Sequence, residues 1–144
     1  MKLSTKTRYG LRFMMYLIKR HGNEPVQLAE VSRNEEISLK YLGQIASQLR
    51  VAGLIRSTRG AGGGYQLARD PGAITLKDLV ETLEGGIFLV DCLDGKPCTR
   101  STQCLAREAW EDVSKMMAEV LQSFSLRDIV SLYGFKKTAV DYNI

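Results

Sequence analysis

Along residues 4–21, apolar side chains return at Leu11, Met14, Met15 and Ile18, the spacing of one face of an α-helix. Ser4 is placed to cap its start and Gly22 to end it, with Gly22-Asn23-Glu24-Pro25 as a turn. Residues 26–52 read as two short helices joined by a tight bend. Leu28, Ala29 and Val31 mark the first, Gln27 to Glu35; Ser38 caps the second, Leu39 to Ala52. Ile37 and Leu42 form a hydrophobic staple across that cap, Leu42, Ile45 and Leu49 give the helix its buried stripe, and Gly53 stops it. Two short strand-like runs, Leu54 to Thr58 and Tyr65 to Ala68, flank the Gly-rich segment Arg59 to Gly64 and predict a β-hairpin. Thr75 and Asp78 form a capping box for a helix that ends at Glu84 before Gly85-Gly86. A loop over 86–101 precedes a long helix from Ser101 or Thr102 to about Ser123. In that helix Ala106, Ala109, Val113, Met116, Val120 and Phe124 recur at three and four, widened by Trp110, Met117 and Leu121. Ser125 and Asp128 cap a last short helix, Leu126 to Leu132, and the tail after Gly134 carries little signal. The pattern predicts a mainly α fold with a small β-hairpin wing: a winged helix-turn-helix plus a long C-terminal helix.

Composition narrows the function. With 144 residues, 44% of them hydrophobic and 25% charged, the chain has the size and balance of one globular domain. The longest apolar run near its start, Phe13 to Ile18, is too short for a membrane span or a signal-peptide core, so a cytoplasmic protein with reduced thiols is expected. There is a single histidine, His21, in a different segment from the cysteines, and nothing resembles a base positioned for them. No enzyme and no small-molecule substrate are expected. The charge is uneven: residues 1–69 hold 12 basic and 4 acidic side chains, residues 70–144 hold 8 and 12. One half favours a polyanion and the other repels it.

The basic half carries the helix, bend, helix, hairpin order that reads double-stranded DNA. An α-helix fits the major groove, and the exposed side of the second helix shows Ser38, Lys40, Tyr41, Gln44 and, further on, Gln48. Gln bonds adenine at two points and Lys reads guanine or holds a phosphate. Arg50 near the far end is placed for backbone phosphate. Arg59 at the base of the wing tip suits a narrow minor groove, and Lys2, Lys6 and Arg8 are candidate phosphate clamps. A nucleotide loop at Gly60–Gly64 is disfavoured, because the glycines lie between two strands and no Gly-Lys-Ser/Thr follows.

The acidic half carries Cys92, Cys98 and Cys104, an odd set that argues against a closed disulfide framework. Soft thiolates suit iron–sulfur clusters and zinc, but zinc sites usually show close Cys-x-x-Cys pairs, which are absent. The two five-residue gaps let the loop wrap a larger cofactor. On the residues alone, a cluster, a regulatory disulfide and three unremarkable thiols all stand. Ala109, Val113, Met116 and Val120 are near-heptad, which fits packing against a partner helix in a homodimer.

Several motifs bear a family resemblance. Lys2-Leu-Ser-Thr-Lys-Thr-Arg-Tyr-Gly10, Ser38-Leu39-Lys40-Tyr41-Leu42, Gly53-Leu54-Ile55 and above all Arg59-Gly60-Ala61-Gly62-Gly63-Gly64-Tyr65-Gln66-Leu67 resemble the IscR/NsrR regulators of the Rrf-two (Rrf2) superfamily, as do the three cysteines followed by Trp110. The likeness covers residues 1–132 and is nearest the IscR branch. It implies a homodimeric winged-helix transcriptional regulator, a repressor, whose binding to a near-palindromic operator answers to an iron–sulfur cluster, two-iron (2Fe–2S) ahead of four-iron (4Fe–4S), on Cys92, Cys98 and Cys104. It also implies that the helix with Ser38, Tyr41 and Gln44 reads the major groove and that Arg59 enters the minor groove. The fourth ligand departs from the relatives. The cluster-assembly branch has a His where this chain has Arg107, which offers no lone pair, and the nitric-oxide-sensing branch has an acid where this chain has Arg8. Glu108, one helical turn after Cys104, is a candidate; Asp91, Asp94 and His21 are weaker ones, and a solvent ligand is another. The resemblance divides the chain into a DNA-binding domain (1–84), a cluster loop (85–103) and a dimerisation helix with its tail (104–144). The alternative is a cluster-free winged-helix repressor that responds to thiol oxidation, zinc or a protein partner.

Overall fold

The computed structural model describes residues 2–20 and 24–141. Its elements are α1 (Thr5–Lys19), α2 (Leu28–Glu35), α3 (Leu39–Val51), β1 (Ile55–Thr58), β2 (Gly64–Leu67), α4 (Leu76–Glu84), α5 (Leu105–Gln122) and α6 (Leu126–Asp141), with short 3-10 turns at Pro71–Ala73 and Asp91–Leu93. This is the mainly helical, hairpin-bearing order the pattern predicts.

Local chemistry explains most boundaries. The Ser4 hydroxyl accepts from the Thr7 N–H and starts α1. The buried face of α1 is Thr7, Gly10, Phe13, Met14 and Leu17, while Leu11, Met15 and Ile18 only flank it. Two neighbouring stripes satisfy helical spacing, and the one centred on Phe13 wins because an aromatic buries the most area. The stop expected at Gly22, and His21 with it, lie outside the described residues. Gln27 caps α2 by backbone alone, and Val31 is the buried residue of that helix. The bend before α3 is made at Glu36, whose φ of 54° is left-handed. Ser38 accepts from the Tyr41 N–H at 3.1 Å and starts α3, with Ile37, Leu42, Ile45, Ala46 and Leu49 buried.

The hairpin is antiparallel, with Ile55 opposite Leu67 and Thr58 opposite Gly64. Val26 joins it by two 2.8 Å hydrogen bonds with Tyr65, which tie the wing to the segment before α2. That approach explains Gly64: a Cβ there would overlap the Val26 carbonyl. One core gathers Phe13, Met14, Leu42, Ile45, Leu49, Leu54, Ile74, Leu79 and Leu126, each worth about 1.5–3 kcal/mol on burial.

In the C-terminal half, both expected capping boxes form. Asp78 and Thr75 bond reciprocally at the start of α4, and Asp128 and Ser125 do the same at the start of α6. The two starts lie side by side, joined by Leu76 N–H to Phe124 C=O and Leu126 N–H to Ile74 C=O. Two expectations are corrected. The long helix begins at Leu105 rather than Ser101 or Thr102, because Cys104 itself takes the capping position and its sulfur accepts from the Arg107 N–H at 3.4 Å. The last helix runs to Asp141 rather than Leu132; Gly134 costs about 1 kcal/mol inside a helix, which does not end one. Among the described residues no helix is long and apolar enough to cross a membrane.

Candidate nucleic-acid interface and cysteine loop

The outer side of α3 presents Ser38, Lys40, Gln44, Gln48 and Arg50 to solvent, held there because the opposite face is buried. Ser38 is also the cap, so its oxygen already accepts one hydrogen bond, leaving its hydroxyl proton to donate. Tyr41 differs from the expected exposed reader. It is half-buried and meets Tyr9 edge to face, 5.9 Å between ring centres, which fastens α3 to α1. Arg59 is exposed where β1 leaves for the wing tip. Lys2 and Arg8 are exposed and Lys6 half-buried at the start of α1, with an Arg8 guanidinium nitrogen 3.4 Å from the Thr5 hydroxyl. Arg12 has a structural task instead: it bridges α1 to α2 by pairing with Glu35 at 3.0 Å beneath the Tyr9 ring.

Sequence reasoning assigned nothing to Glu84, the last residue of α4. One of its carboxylate oxygens accepts from the Ser4 N–H at 2.9 Å, the Ser4 hydroxyl at 2.7 Å and the Thr7 hydroxyl. Partial burial pushes the Glu84 carboxyl up. The Thr7 and Ser4 hydrogen bonds and the nearby Lys6 charge outweigh it and hold the carboxyl below its ordinary value. No sequence-local signal reveals this contact, since Thr7 and Ser4 lie 77 and 80 residues before Glu84.

Beyond Gly85 and Gly86 the chain enters the cysteine loop. Cys92 sits half-buried in the 3-10 turn, Cys98 is exposed, and Cys104 is half-buried as the cap of α5; all three are free thiols. Among the described residues no three His, Cys, Asp or Glu side chains gather closely enough to hold a metal ion. The donors are therefore right in kind for an iron–sulfur cluster but spread along the loop. Asp91 is engaged by the Lys96 ammonium at 2.8 Å. Glu108 is exposed in the first turn of α5, and Asp94 is exposed in the loop. Arg107 lies half-buried with its Nε lacking a hydrogen-bond partner and a terminal nitrogen 3.8 Å from Glu111. It lines a cavity of about 580 Å³ with Ile87, Phe88, Leu93 and Ser114.

α5 packs inward mainly through Ser114 and the half-buried Met117, Ala118 and Leu121. The apolar stripe read from the sequence faces solvent in the single chain: Ala106, Ala109, Trp110, Val113, Met116 and Val120 are all exposed, Met116 by 61% and Val120 by 59%.

Comparison with known proteins places this arrangement. Residues 3–132 match the family model Rrf2, described as an iron-dependent transcriptional regulator. The HTH-type transcriptional regulator CymR of Bacillus subtilis is 42% identical over 131 residues, covering 91% of each chain. The structure of CymR, the global cysteine regulator of that organism, superposes with a TM-score of 0.74 at 41% identity over 92% of this chain and 98% of its own. The structure of T. potens IscR does so with a TM-score of 0.72 at 37% identity over 91% of this chain and 87% of its own. The relatives are DNA-binding regulators rather than enzymes, and their solved structures carry this winged helix. The chain belongs to the Rrf2 family of transcriptional regulators.

Proposed function

We propose that this regulator is a cytoplasmic homodimer that represses from a near-palindromic operator and reports iron–sulfur status through Cys92, Cys98 and Cys104. Ser38, Lys40, Gln44 and Arg59 read the grooves, with Tyr41 reading and bracing at once. Lys6, Arg8 and Arg50 hold phosphates. Residues 1–84 bind DNA, 85–103 form the sensing loop and 104–144 supply the dimer helix.

One observation carries the sensing part: Cys104 is both a candidate thiolate ligand and the cap of α5. A group bound at the Cys104 sulfur shares that atom with the Arg107 N–H, so ligation acts directly on the start of the helix that exposes the apolar seam. The loop is mostly exposed and held by the Lys96–Asp91 pair and by turns of its own backbone, so drawing Cys92 and Cys98 toward Cys104 rearranges local contacts rather than the core. When bound, an iron–sulfur cluster supplies an oxygen- and redox-labile link between thiolates. Arg107 has no ligating lone pair, which leaves the fourth position to Glu108 ahead of the weaker candidates Asp91, Asp94 and His21, or to solvent, and makes the group easier to lose.

CymR in the same family is named a cysteine regulator, and its likeness to this chain supports the cluster-free reading, in which the same thiols respond to oxidation, zinc or a partner protein. The test is operator affinity of the reduced dimer with and without ferrous iron and sulfide added anaerobically, on a duplex selected by the protein from a random-sequence pool. A shift present in wild type and absent in Cys92→Ala supports the cluster. An affinity indifferent to iron and sulfide but shifted by a thiol oxidant supports the alternative.

A further inference from the structure

The junction between α1 and α4 is built with more care than packing alone requires. Gly10 in α1 lies so close to α4 that a Cβ there would overlap the Leu83 methyl, so the two helices approach tightly beside Glu84. The Glu84 carboxylate then takes three donors from the first turn of α1, the turn that also carries Lys6 and is flanked by Lys2 and Arg8. Immediately after Glu84 the chain makes two successive positive-φ turns, 85° at Gly85 and 154° at Gly86. Gly86 is required by the Phe88 ring, which a Cβ at 86 would overlap. Ile87 is buried, and the 3-10 turn with Cys92 follows four residues later. Glu84 therefore ties the residue just before the glycine turn to the first turn of α1, beside the tight Gly10–Leu83 contact.

We propose that Glu84 is a positioning residue that couples the state of the cysteine loop to DNA affinity, by holding or releasing the first turn of α1 as the chain beyond Gly85 moves. Release turns Lys2, Lys6 and Arg8 out of register with the backbone phosphates. The element that changes is the contact between the Ser4–Thr7 donors and the carboxylate, and the two ends it joins are the two sites whose coupling is at issue. The inference rests on the thiol-sensing reading above.

The test measures the ratio of affinities, with and without ferrous iron and sulfide, for wild type, Glu84→Gln and the donor-side variant Ser4→Ala, all as full-length dimers on the same selected duplex. Coupling between sites typically spans 5–150-fold. The wild-type ratio is expected in that range, on the order of tenfold, and to fall to within about twofold of unity in Glu84→Gln and part of the way in Ser4→Ala. Thermal midpoints are read alongside, since a purely structural role lowers the midpoint and leaves the ratio intact. A ratio unchanged in Glu84→Gln overturns the coupling role while the sensing reading stands. A wild-type ratio of one, with ferrous iron and sulfide and again with a thiol oxidant, overturns both.

Discussion

Two glycines on helices illustrate how differently one residue type is used. Gly43 in α3 has ordinary helical surroundings: a Cβ there meets only the Leu28 methyl at 3.8 Å. Alanine should fit and remove a backbone-entropy cost of about 1 kcal/mol, so Gly43→Ala should stabilise the protein by roughly that amount in urea titrations. Gly10→Ala in α1 gains the same propensity but drives a methyl into Leu83. Overpacking costs about 1–3 kcal/mol, so the net is a loss of about 1 kcal/mol. A stabilised Gly10→Ala would show that the α1–α4 contact yields. At the wing, Arg59 is exposed and free of any described ion pair. Arg59→Ala should weaken specific DNA binding by about 1–3 kcal/mol without moving the thermal midpoint, as read by a binding isotherm at fixed salt.

At the level of elements, the α1–α4 junction makes stability pH-dependent in a defined direction. The Glu84 carboxyl is held below its ordinary value in the folded state, so its contribution is complete above the unfolded carboxylate range and is lost as pH falls through the folded value. Asp70, which accepts from the Gly72 N–H and pairs with Arg127, and Asp128, which accepts from the Ser125 N–H and hydroxyl, are also held low and contribute in the same sense. The comparison that isolates Glu84 is therefore the acid loss of the urea midpoint in wild type against Glu84→Gln, where the curve should be flatter. Equal curves would mean the hydrogen bonds to Ser4 and Thr7 carry no charge preference. These elements also mark what a sequence reveals. The caps at Ser4, Ser38, Thr75 and Ser125 were readable because a hydroxyl followed three residues later by its partner is local chemistry. So were the hairpin and the α3 stripe. Cys104 as a cap was not, because thiols are rarely chosen for that task and the pattern placed Ser101 or Thr102 there instead. Glu84 was invisible because its partners lie 77 and 80 residues earlier in the chain. The half-burial of Tyr41 against Tyr9 was hidden for the same reason.

For the whole molecule, the exposed seam on α5 is the clearest unfinished surface. Val113, Met116 and Val120 recur at near-heptad spacing and lie in solvent in the single chain. A second copy packed against it would set two α3 helices on one side for a two-fold operator. Met116→Glu should place a charge in that interface, costing about 3 kcal/mol and raising the dimer dissociation constant on the order of a hundredfold, seen by sedimentation. A variant that stays dimeric would move the interface elsewhere. On the proposed roles the uneven charge acquires a division of labour: the half with 12 basic and 4 acidic residues would meet DNA, and the other would keep the loop and seam clear of it. The central claim is that the three thiols of that acidic half hold an iron–sulfur cluster. Iron and acid-labile sulfide counted on anaerobically purified protein test it most directly. Roughly two of each per protomer in wild type, falling to background in Cys98→Ala, is the result expected. Protein from iron-replete cells that carries zinc or no metal, and no sulfide, would contradict it.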